Sequence, residues 1–242
     1  MCGIATILSN KKLLDCEKEY FKKIIEESSV RGLHSFGISH VKDNELVTKK
    51  FYEILKCIDY FEKNVDGAFI YHNRYSTSGD WKNENNNQPL TDGKNAIAFN
   101  GVISMKTKEQ IEIEYNIKLK NDNDGEVFLN KLENPLKFLT QKRGDISISA
   151  LYIKNNKVYA VRNSKRPLWY AEKFNSIFIA STKDILRRSG FSEINCTDVY
   201  KIYNYDRLKK KKTRIHRLSY PNDEQWGYRP SKQLPALHRK QI

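Results

Sequence analysis

The sequence lacks long apolar runs and paired cysteines, and each absence excludes a class of protein. No window approaches the roughly 20 apolar residues of a transmembrane helix, and the apolar stretch from Gly3 to Leu8 lacks the length and the basic flank of a signal peptide. The four cysteines stand at positions 2, 16, 57 and 196 without a Cys-x-x-Cys pair, which indicates neither a disulfide framework nor a zinc site. We therefore expect a cytoplasmic protein without membrane contact, metal or cofactor.

Acidic residues are few relative to basic ones, with 29 Asp and Glu against 43 Lys and Arg and a net charge of +14. The excess is spread over lysine-rich positions as well as one run near the end of the sequence, so it does not by itself indicate a nucleic-acid ligand. A chain of 242 residues that is 39% hydrophobic can bury the core of one large domain. We expect that domain at residues 2–207, followed by a basic extension at residues 208–242.

The basic extension has three possible interpretations. A lysine-rich run is most often a solvated segment. The alternatives are docking to a separate protein and contact with nucleic-acid phosphates through the basic residues between Lys209 and Arg217.

Short runs of β-branched and aromatic residues between polar breaks predict many strands and a few helices. The predicted strands are residues 3–8, 36–41, 46–51, 68–75, 96–103, 147–153, 158–162, 168–171 and 177–180, and residues 198–206 can form a last one. This number of strands implies two sheets. The predicted helices are residues 15–29, capped by Asp15, and residues 106–115, 125–140 and 182–189.

The segment Met1-Cys2-Gly3-Ile4 is the most informative of the chain. Removal of the methionine would leave a cysteine with a thiol and a free α-amino group, and an amine that titrates near pH 8 can take the proton of a thiol that titrates near roughly 8.5. Cys2 would then be a nucleophile with its own base. Taken alone, a cysteine at position 2 is more often the start of a buried strand.

A series of polar motifs follows Cys2 along the chain. It comprises Arg31-Gly32-Leu33-His34-Ser35-Phe36-Gly37, His72-Asn73-Arg74-Tyr75-Ser76-Thr77-Ser78-Gly79, Gln88-Pro89-Leu90, Asn100-Gly101-Val102-Ile103, Asp124-Gly125-Glu126, the segment from Val161 to Tyr170, and Phe178-Ile179-Ala180-Ser181-Thr182-Lys183. In this order, over about residues 2–190, the series closely resembles the class II glutamine amidotransferases. The resemblance implies an α+β fold, the four-layer αββα sandwich of the N-terminal nucleophile hydrolases.

The resemblance also implies the parts of a glutaminase site. Cys2 attacks the side-chain amide of L-glutamine, while the side-chain amide of Asn100 and the backbone N–H of Gly101 form the oxyanion hole. A turn between two strands is the commoner reason for an Asn-Gly pair, and the two interpretations are compatible here.

Recognition of the substrate zwitterion is assigned by the same resemblance. Arg74 binds the α-carboxylate as a planar, charged fork, and Asp124 binds the α-ammonium group. Tyr75 and Thr77 complete the carboxylate site, and Arg31 lies near the nucleophile as support.

Three positions depart from the family pattern. His34 stands where the family has an aspartate in "R-G-x-D-S-x-G", Asn163 stands where it has the aspartate of "R-D", and Gly125 stands where a hydroxyl residue often precedes the glutamate. Residues 77–88, polar and rich in asparagine, are expected to form a lid over the substrate, or else an ordinary exposed loop.

Three functions compete at this point. The first is a glutaminase that supplies ammonia to a separate synthase, since about 50 residues beyond the resemblance are too few for a synthase domain. The second is a stand-alone hydrolase of γ-glutamyl amides, and the third is a non-catalytic basic binding module. Because Cys2, Arg74, Asn100 and Asp124 are all present, the third ranks last.

Overall fold

The structure, a computed structural model, describes residues 1–76 and 80–206 of the chain. Its strands are β1 (Gly3–Leu8), β2 (Ser35–Lys42), β3 (Glu45–Phe51), β4 (Phe69–Arg74), β5 (Leu90–Thr91), β6 (Ala96–Val102), β7 (Ser147–Lys154), β8 (Lys157–Arg162), β9 (Trp169–Lys173), β10 (Ser176–Ala180) and β11 (Ile194–Cys196). Its helices are α1 (Asp15–Ser28), α2 (Ile54–Asn64), α3 (Lys108–Tyr115), α4 (Gly125–Leu129), α5 (Pro135–Gln141) and α6 (Lys183–Arg188).

The strands form two sheets in which the described neighbours pair antiparallel. One has the order β11-β9-β10-β1-β4-β2-β3 and the other has the order β5-β6-β7-β8. Three hairpins, β2–β3, β7–β8 and β9–β10, turn on two residues with positive φ, namely Asp43-Asn44, Asn155-Asn156 and Phe174-Asn175. Such left-handed turns match the twist of the strands that they connect.

Three apolar cores separate four layers. In β1, Ala5 and Ile7 pack with residues of α1, α2 and α6, whereas Ile4 and Leu8 pack with residues of the second sheet. The other face of the second sheet packs with α3, α4 and α5. The order is therefore helices, sheet, sheet, helices, which confirms the expected α+β fold and its αββα layering.

The nine predicted strands are all present with small shifts at their ends. The predicted helix at residues 125–140 is instead two helices, α4 and α5, because the Asn134 side chain accepts the Lys137 N–H and Pro135 begins a new helix. Residues 198–206 form a single β-bridge between Tyr203 and Ala160, not a strand.

The first helix begins differently from the prediction. Asp15 is its first residue, not its cap, and the Glu17 carboxylate accepts the Leu14 N–H at 2.8 Å. The sequence prediction also missed α2, β5 and β11. The basic residues between Lys209 and Arg217, and the extension at 208–242, lie outside the described residues.

No helix of the described residues is long and apolar enough to cross a membrane. The central strand β1 lies between β10 and β4, with Gly3 opposite Asn73. Cys2 therefore precedes the first residue of a strand in the middle of the larger sheet.

Candidate active site

Polar side chains replace the apolar core at one end of the space between the two sheets. Ile4, Ile70, Ala98 and Leu151 belong to the core between the sheets. Because side chains alternate along a strand, the residues two positions further toward the same end face the same space, namely Cys2, His72, Asn100 and Ser149. The two sheets thus bring the motifs that contain Cys2, His72 and Asn100 together.

Cys2 is held by its backbone and by its thiol. Arg31 Nε donates a hydrogen bond to the Cys2 carbonyl at 2.8 Å, and the Cys2 thiol donates to the Tyr75 carbonyl at 3.8 Å. Burial raises the pKa of the Cys2 thiol, although the positive charges of the N-terminus, Arg74 and Arg31 oppose the shift. The protonated thiol is therefore favoured, and any attack by this sulfur would need a base that takes its proton.

Asn100 and Gly101 have the features of an oxyanion hole. Asn100 is only 2% exposed, and its side-chain nitrogen has no hydrogen-bond partner among the described residues. Gly101 has φ of 152°, and a Cβ there would lie 1.7 Å from the Ser147 carbonyl oxygen. Since a buried N–H group is normally paired, the unpaired amide of Asn100 marks a place for an acceptor that the protein itself does not supply.

Arg74 is only 5% exposed and lies against the segment that was expected to form a lid. Its Nη1 donates to the Asn86 carbonyl at 2.9 Å and to Asn87 Oδ1 at 2.6 Å, and Asn87 Nδ2 donates to the Trp81 carbonyl at 2.8 Å. Asn86, Asn87 and Gln88 are buried, contrary to the expectation of an exposed polar loop. This half of the segment is part of the site wall.

Asp124 joins the site at the start of α4. Its Oδ2 accepts the backbone N–H groups of Ile103 and Ser104 at 2.6 and 3.0 Å, which connects the carboxylate to the chain just beyond Gly101. Burial raises the pKa of the Asp124 carboxyl, and these N–H groups oppose that rise. The neighbouring Asn123 Nδ2 donates to the Asn86 carbonyl at 2.9 Å, the same oxygen that Arg74 binds.

Tyr75 and Thr77 were expected in the carboxylate site. The Tyr75 side chain is 51% exposed and stacks on the His34 ring with the centroids 5.3 Å apart, while its carbonyl accepts the thiol of Cys2. These contacts of Tyr75 thus lie on the Cys2 side of the site. Thr77 lies outside the described residues.

The three departures from the family pattern have local physical reasons. Asn163 Nδ2 donates to the Ile146 carbonyl at 2.8 Å while Oδ1 accepts the Ile148 N–H at 3.2 Å, a pairing that an ionised aspartate could not complete. A Cβ at Gly125 would lie 2.2 Å from the Phe99 ring, which leaves no room for a hydroxyl residue. His34 Nδ1 accepts the Ser76 N–H at 2.8 Å.

His72 was part of a motif but received no role in the sequence analysis. Its two ring nitrogens are buried and have no partner of good hydrogen-bond geometry among the described residues, although a weak interaction with the Phe99 backbone opposes the loss of the ring's charge. Burial, together with the charge of Arg74, lowers the pKa of His72 to about 3, so that the ring is neutral. Asn86, Asn87 and Asn123 were also missed, because an asparagine-rich segment carries no signal that tells a site wall from a loop. No group of three His, Cys, Asp or Glu side chains in residues 1–76 and 80–206 could hold a metal ion.

Known proteins share both the sequence pattern and the fold. The family model of the glutamine amidotransferase domain matches residues 72–188, which include Arg74, Asn100 and Asp124 but not Cys2. Proteins named glutamine–fructose-6-phosphate aminotransferase [isomerizing] from Bacillus subtilis and Bacillus spizizenii are 28% and 27% identical over 183 residues. The alignment covers 69% of this chain and 30% of each relative, so the chain spans less than a third of their length.

Solved structures share the architecture. The glutamine phosphoribosylpyrophosphate amidotransferase of B. subtilis superposes with a TM-score of 0.64 at 15% identity, over 84% of this chain and 46% of that one. A glutamine aminotransferase class-II domain protein from Silicibacter pomeroyi superposes with a TM-score of 0.51 at 12% identity, over 84% of this chain and 93% of that one. The motifs and the matching family model make the chain similar to the class II glutamine amidotransferases, and its αββα architecture is the N-terminal nucleophile hydrolase fold of these solved structures.

Proposed function

We propose that the protein hydrolyses the side-chain amide of L-glutamine through Cys2 and supplies the ammonia to a separate synthase. The observation that supports this most is the buried, unpaired side-chain amide of Asn100, at the same end of the sandwich as the thiol. A buried amide without a partner is costly unless an acceptor arrives during function. A developing oxyanion is such an acceptor.

The chemistry follows from these groups. After removal of Met1, the α-amine of Cys2 takes the thiol proton, and the sulfur attacks the δ-carbon of glutamine. The Asn100 amide and the Gly101 N–H hold the oxygen of the tetrahedral intermediate, each donor lowering the barrier by about 3 kcal/mol. The amine then gives its proton to the leaving nitrogen, ammonia departs and a thioester remains. Water attacks the thioester, and glutamate leaves as the thiol is restored.

In this proposal, Arg74 and Asp124 recognise the substrate by their opposite charges, and the Asn86 carbonyl connects their two segments. Arg74 and Asn123 both donate to that oxygen, and Asp124 follows Asn123 directly. A guanidinium on one side and a carboxylate on the other complement the α-carboxylate and α-ammonium of an amino acid. Arg31 supports Cys2 through the bond to its carbonyl, and Tyr75 supplies the acceptor for the thiol.

The test measures ammonia release from glutamine and the site of covalent labelling. We expect Cys2→Ala to lose activity, whereas Cys16→Ala, which removes an exposed thiol far from the motifs, keeps it. A glutamine-like diazo-ketone should label the protein once, at residue 2, and intact mass should show that Met1 is absent from active protein. Full turnover by Cys2→Ala would overturn the proposal.

The identity of the nitrogen acceptor is a separate question within the proposal. If a γ-glutamyl anilide is cleaved much faster than glutamine, the protein is a γ-glutamyl amide hydrolase that uses the same residues. If glutamine is preferred, the ammonia-accepting synthase is the partner to seek.

A further inference from the structure

We propose that His34 is a positioning residue for the glutaminase reaction, which holds the Tyr75 carbonyl against Cys2 only while its ring is neutral. Protonation of the ring would release that carbonyl and lower the activity in weak acid. The inference rests on the proposed function, because it assigns a role relative to the nucleophile. It concerns a position at which this chain departs from the pattern of its family.

His34 binds the chain on both sides of Tyr75. Its backbone N–H donates to the Arg74 carbonyl at 3.0 Å, and its ring Nδ1 accepts the Ser76 N–H at 2.8 Å. The carbonyl between these two bonds, that of Tyr75, accepts the thiol of Cys2. Residue 34 therefore fixes the peptide that contacts the nucleophile.

The hydrogen bond from Ser76 specifies the tautomer of the ring. A nitrogen that accepts an N–H bond carries no proton, so the neutral ring has its proton on Nε2. A protonated ring has N–H groups on both nitrogens, and Nδ1–H would then face the Ser76 N–H. The bond is lost in that state, and two donors are forced together.

Aromatic stacking adds a second attachment that an aspartate could not make. The His34 ring stacks on Tyr75 at 5.3 Å and on Trp81 at 5.4 Å, with interplanar angles of 26° and 15°. The Trp81 carbonyl accepts Asn87 Nδ2, and Asn87 Oδ1 accepts Arg74. The ring thus lies between the nucleophile side of the site and the carboxylate side.

Aromatic, charged and titratable groups surround the His34 ring on several segments. The stacked partners are neutral aromatic rings, and their faces favour a cation without accepting the Ser76 N–H. Two arginines nearby are bonded elsewhere: Arg31 to the Cys2 carbonyl, and Arg74 to Asn86 and Asn87. The other charged and titratable residues on the surrounding segments are Tyr52, Asp80 and Lys82. Protonation should therefore loosen the Ser76 side while the stack with Trp81 persists.

Two substitutions distinguish the role of Nδ1 as a hydrogen-bond acceptor from the role of the stacked ring. His34→Asn places an amide oxygen where Nδ1 lies and removes both the titration and the stack, whereas His34→Phe keeps the stack and removes the acceptor. We expect His34→Phe to lower kcat for glutamine severalfold at every pH with little change of KM. The ratio of wild-type to His34→Asn activity should fall severalfold between pH 7.5 and 5.5, because protonation removes the Nδ1 acceptor and cannot remove the amide oxygen of the variant.

Two measurements without glutamine separate this inference from the glutaminase assignment. Nitrogen NMR of the imidazole should show an unprotonated Nδ1 at pH 7.5. The second measurement is the rate at which iodoacetamide alkylates Cys2. The ratio of this rate in the wild type to that in His34→Asn should also change between pH 7.5 and 5.5. If neither the wild type nor any variant releases ammonia but these two results hold, the proposed function fails, while the control of Cys2 by His34 stands.

The positioning role is overturned by any of three results. These are an Nδ1 that carries the proton at pH 7.5, a His34→Asn variant whose pH profiles equal those of the wild type, and a His34→Phe variant with wild-type kcat. Thermal unfolding of both variants controls for loss of the fold, and rescue by Asn but not by Phe excludes a merely structural role of the ring.

Discussion

Buried and half-buried carboxamides, more than charges, line this candidate site. Asn86, Asn87 and Asn123 surround the Arg74 side, and Asn100 faces the nucleophile. A carboxamide can donate and accept at once, and it adds no charge that would compete with a zwitterionic substrate. The site can therefore keep the charges of Arg74 and Asp124 for the substrate.

The first prediction concerns Asn100, whose side-chain nitrogen has no hydrogen-bond partner to lose among the described residues. Asn100→Ala should lower kcat about 100- to 1,000-fold, because the donor acts on the oxyanion, while the free energy of unfolding changes little. Steady-state ammonia release and urea unfolding measure the two quantities.

Asn163→Ala is the matched control, since Asn163 is also a buried asparagine of this sheet but has partners on both amide atoms. It should cost about 2 to 3 kcal/mol of stability, because buried backbone groups lose their partners. If Asn100→Ala raises KM alone, its amide binds the ground state and is not an oxyanion donor.

The second prediction concerns the neutral partner of Arg74. Asn87→Asp places a carboxylate beside Arg74 Nη1, at the position where Oδ1 now lies 2.6 Å away. The new charge competes with the substrate carboxylate, so KM for glutamine should rise about tenfold or more, equivalent to about 1.4 kcal/mol of binding. Asn87→Ser, which keeps a neutral acceptor, should change KM less. Equal KM values for Asn87→Asp and the wild type would place the carboxylate site elsewhere.

Motifs and contacts differ in how far the sequence reveals them. Arg74, Asn100 and Asp124 stand in short motifs, so the sequence alone leads to the roles that we propose for them. Asn86 and Asn123 come into contact only when residues 80–88 fold against the residues that lead into α4. The local sequence does not predict such a contact.

At the scale of elements, the ends of helices were harder to predict than their apolar faces. The apolar spacing of Phe21, Ile24 and Ile25 predicted α1, and these residues are buried. Cys57, Ile58 and Phe61 also fall on one face at helical spacing, and this pattern could have revealed α2. The predicted helix at residues 125–140 ignored the cap of Asn134, which acts through a side-chain oxygen and not through periodicity.

The third prediction tests the start of α1. Glu17 is buried and its carboxylate accepts the Leu14 N–H, whereas Asp15 makes no side-chain cap. Glu17→Ala should lower the free energy of unfolding by roughly 1 to 2 kcal/mol, since it leaves a helix-terminal N–H unpaired. Asp15→Ala should change it by less than about 0.5 kcal/mol. Urea unfolding of both variants decides, and a larger loss for Asp15→Ala would restore Asp15 as the cap.

At the scale of the whole molecule, the number of strands predicted two sheets, but not which strands share a sheet. Hairpin partners are adjacent in sequence, and turn residues such as Asn155-Asn156 identify them. The pairing of β1 with β10 joins strands that are far apart in the chain, and it depends on how the three apolar cores pack together. The layering came from the resemblance, because composition does not encode it.

The last prediction concerns the buried His72, whose protonation is coupled to unfolding of the whole molecule. Its pKa is about 3 in the folded protein, against about 6.5 in an unfolded chain. Between these values the unfolded state binds the extra proton, so stability should fall as the pH drops below about 6.5, by up to about 1.4 kcal/mol per pH unit. Above pH 7 the group has no effect.

His72→Gln should remove this slope. Asp124 and Glu126, whose pKa values burial raises, act with the opposite sign in both proteins, so they cancel in the difference. Urea unfolding at pH 7.5, 6.0 and 4.5 therefore measures the contribution of His72 as the change in the difference between wild type and variant. The difference should be constant from pH 7.5 upward and should shift in favour of the variant at each lower pH. Parallel pH profiles would mean that the imidazole is charged or solvated in the folded protein, and that the space between the sheets is wetter at this end than its buried groups indicate.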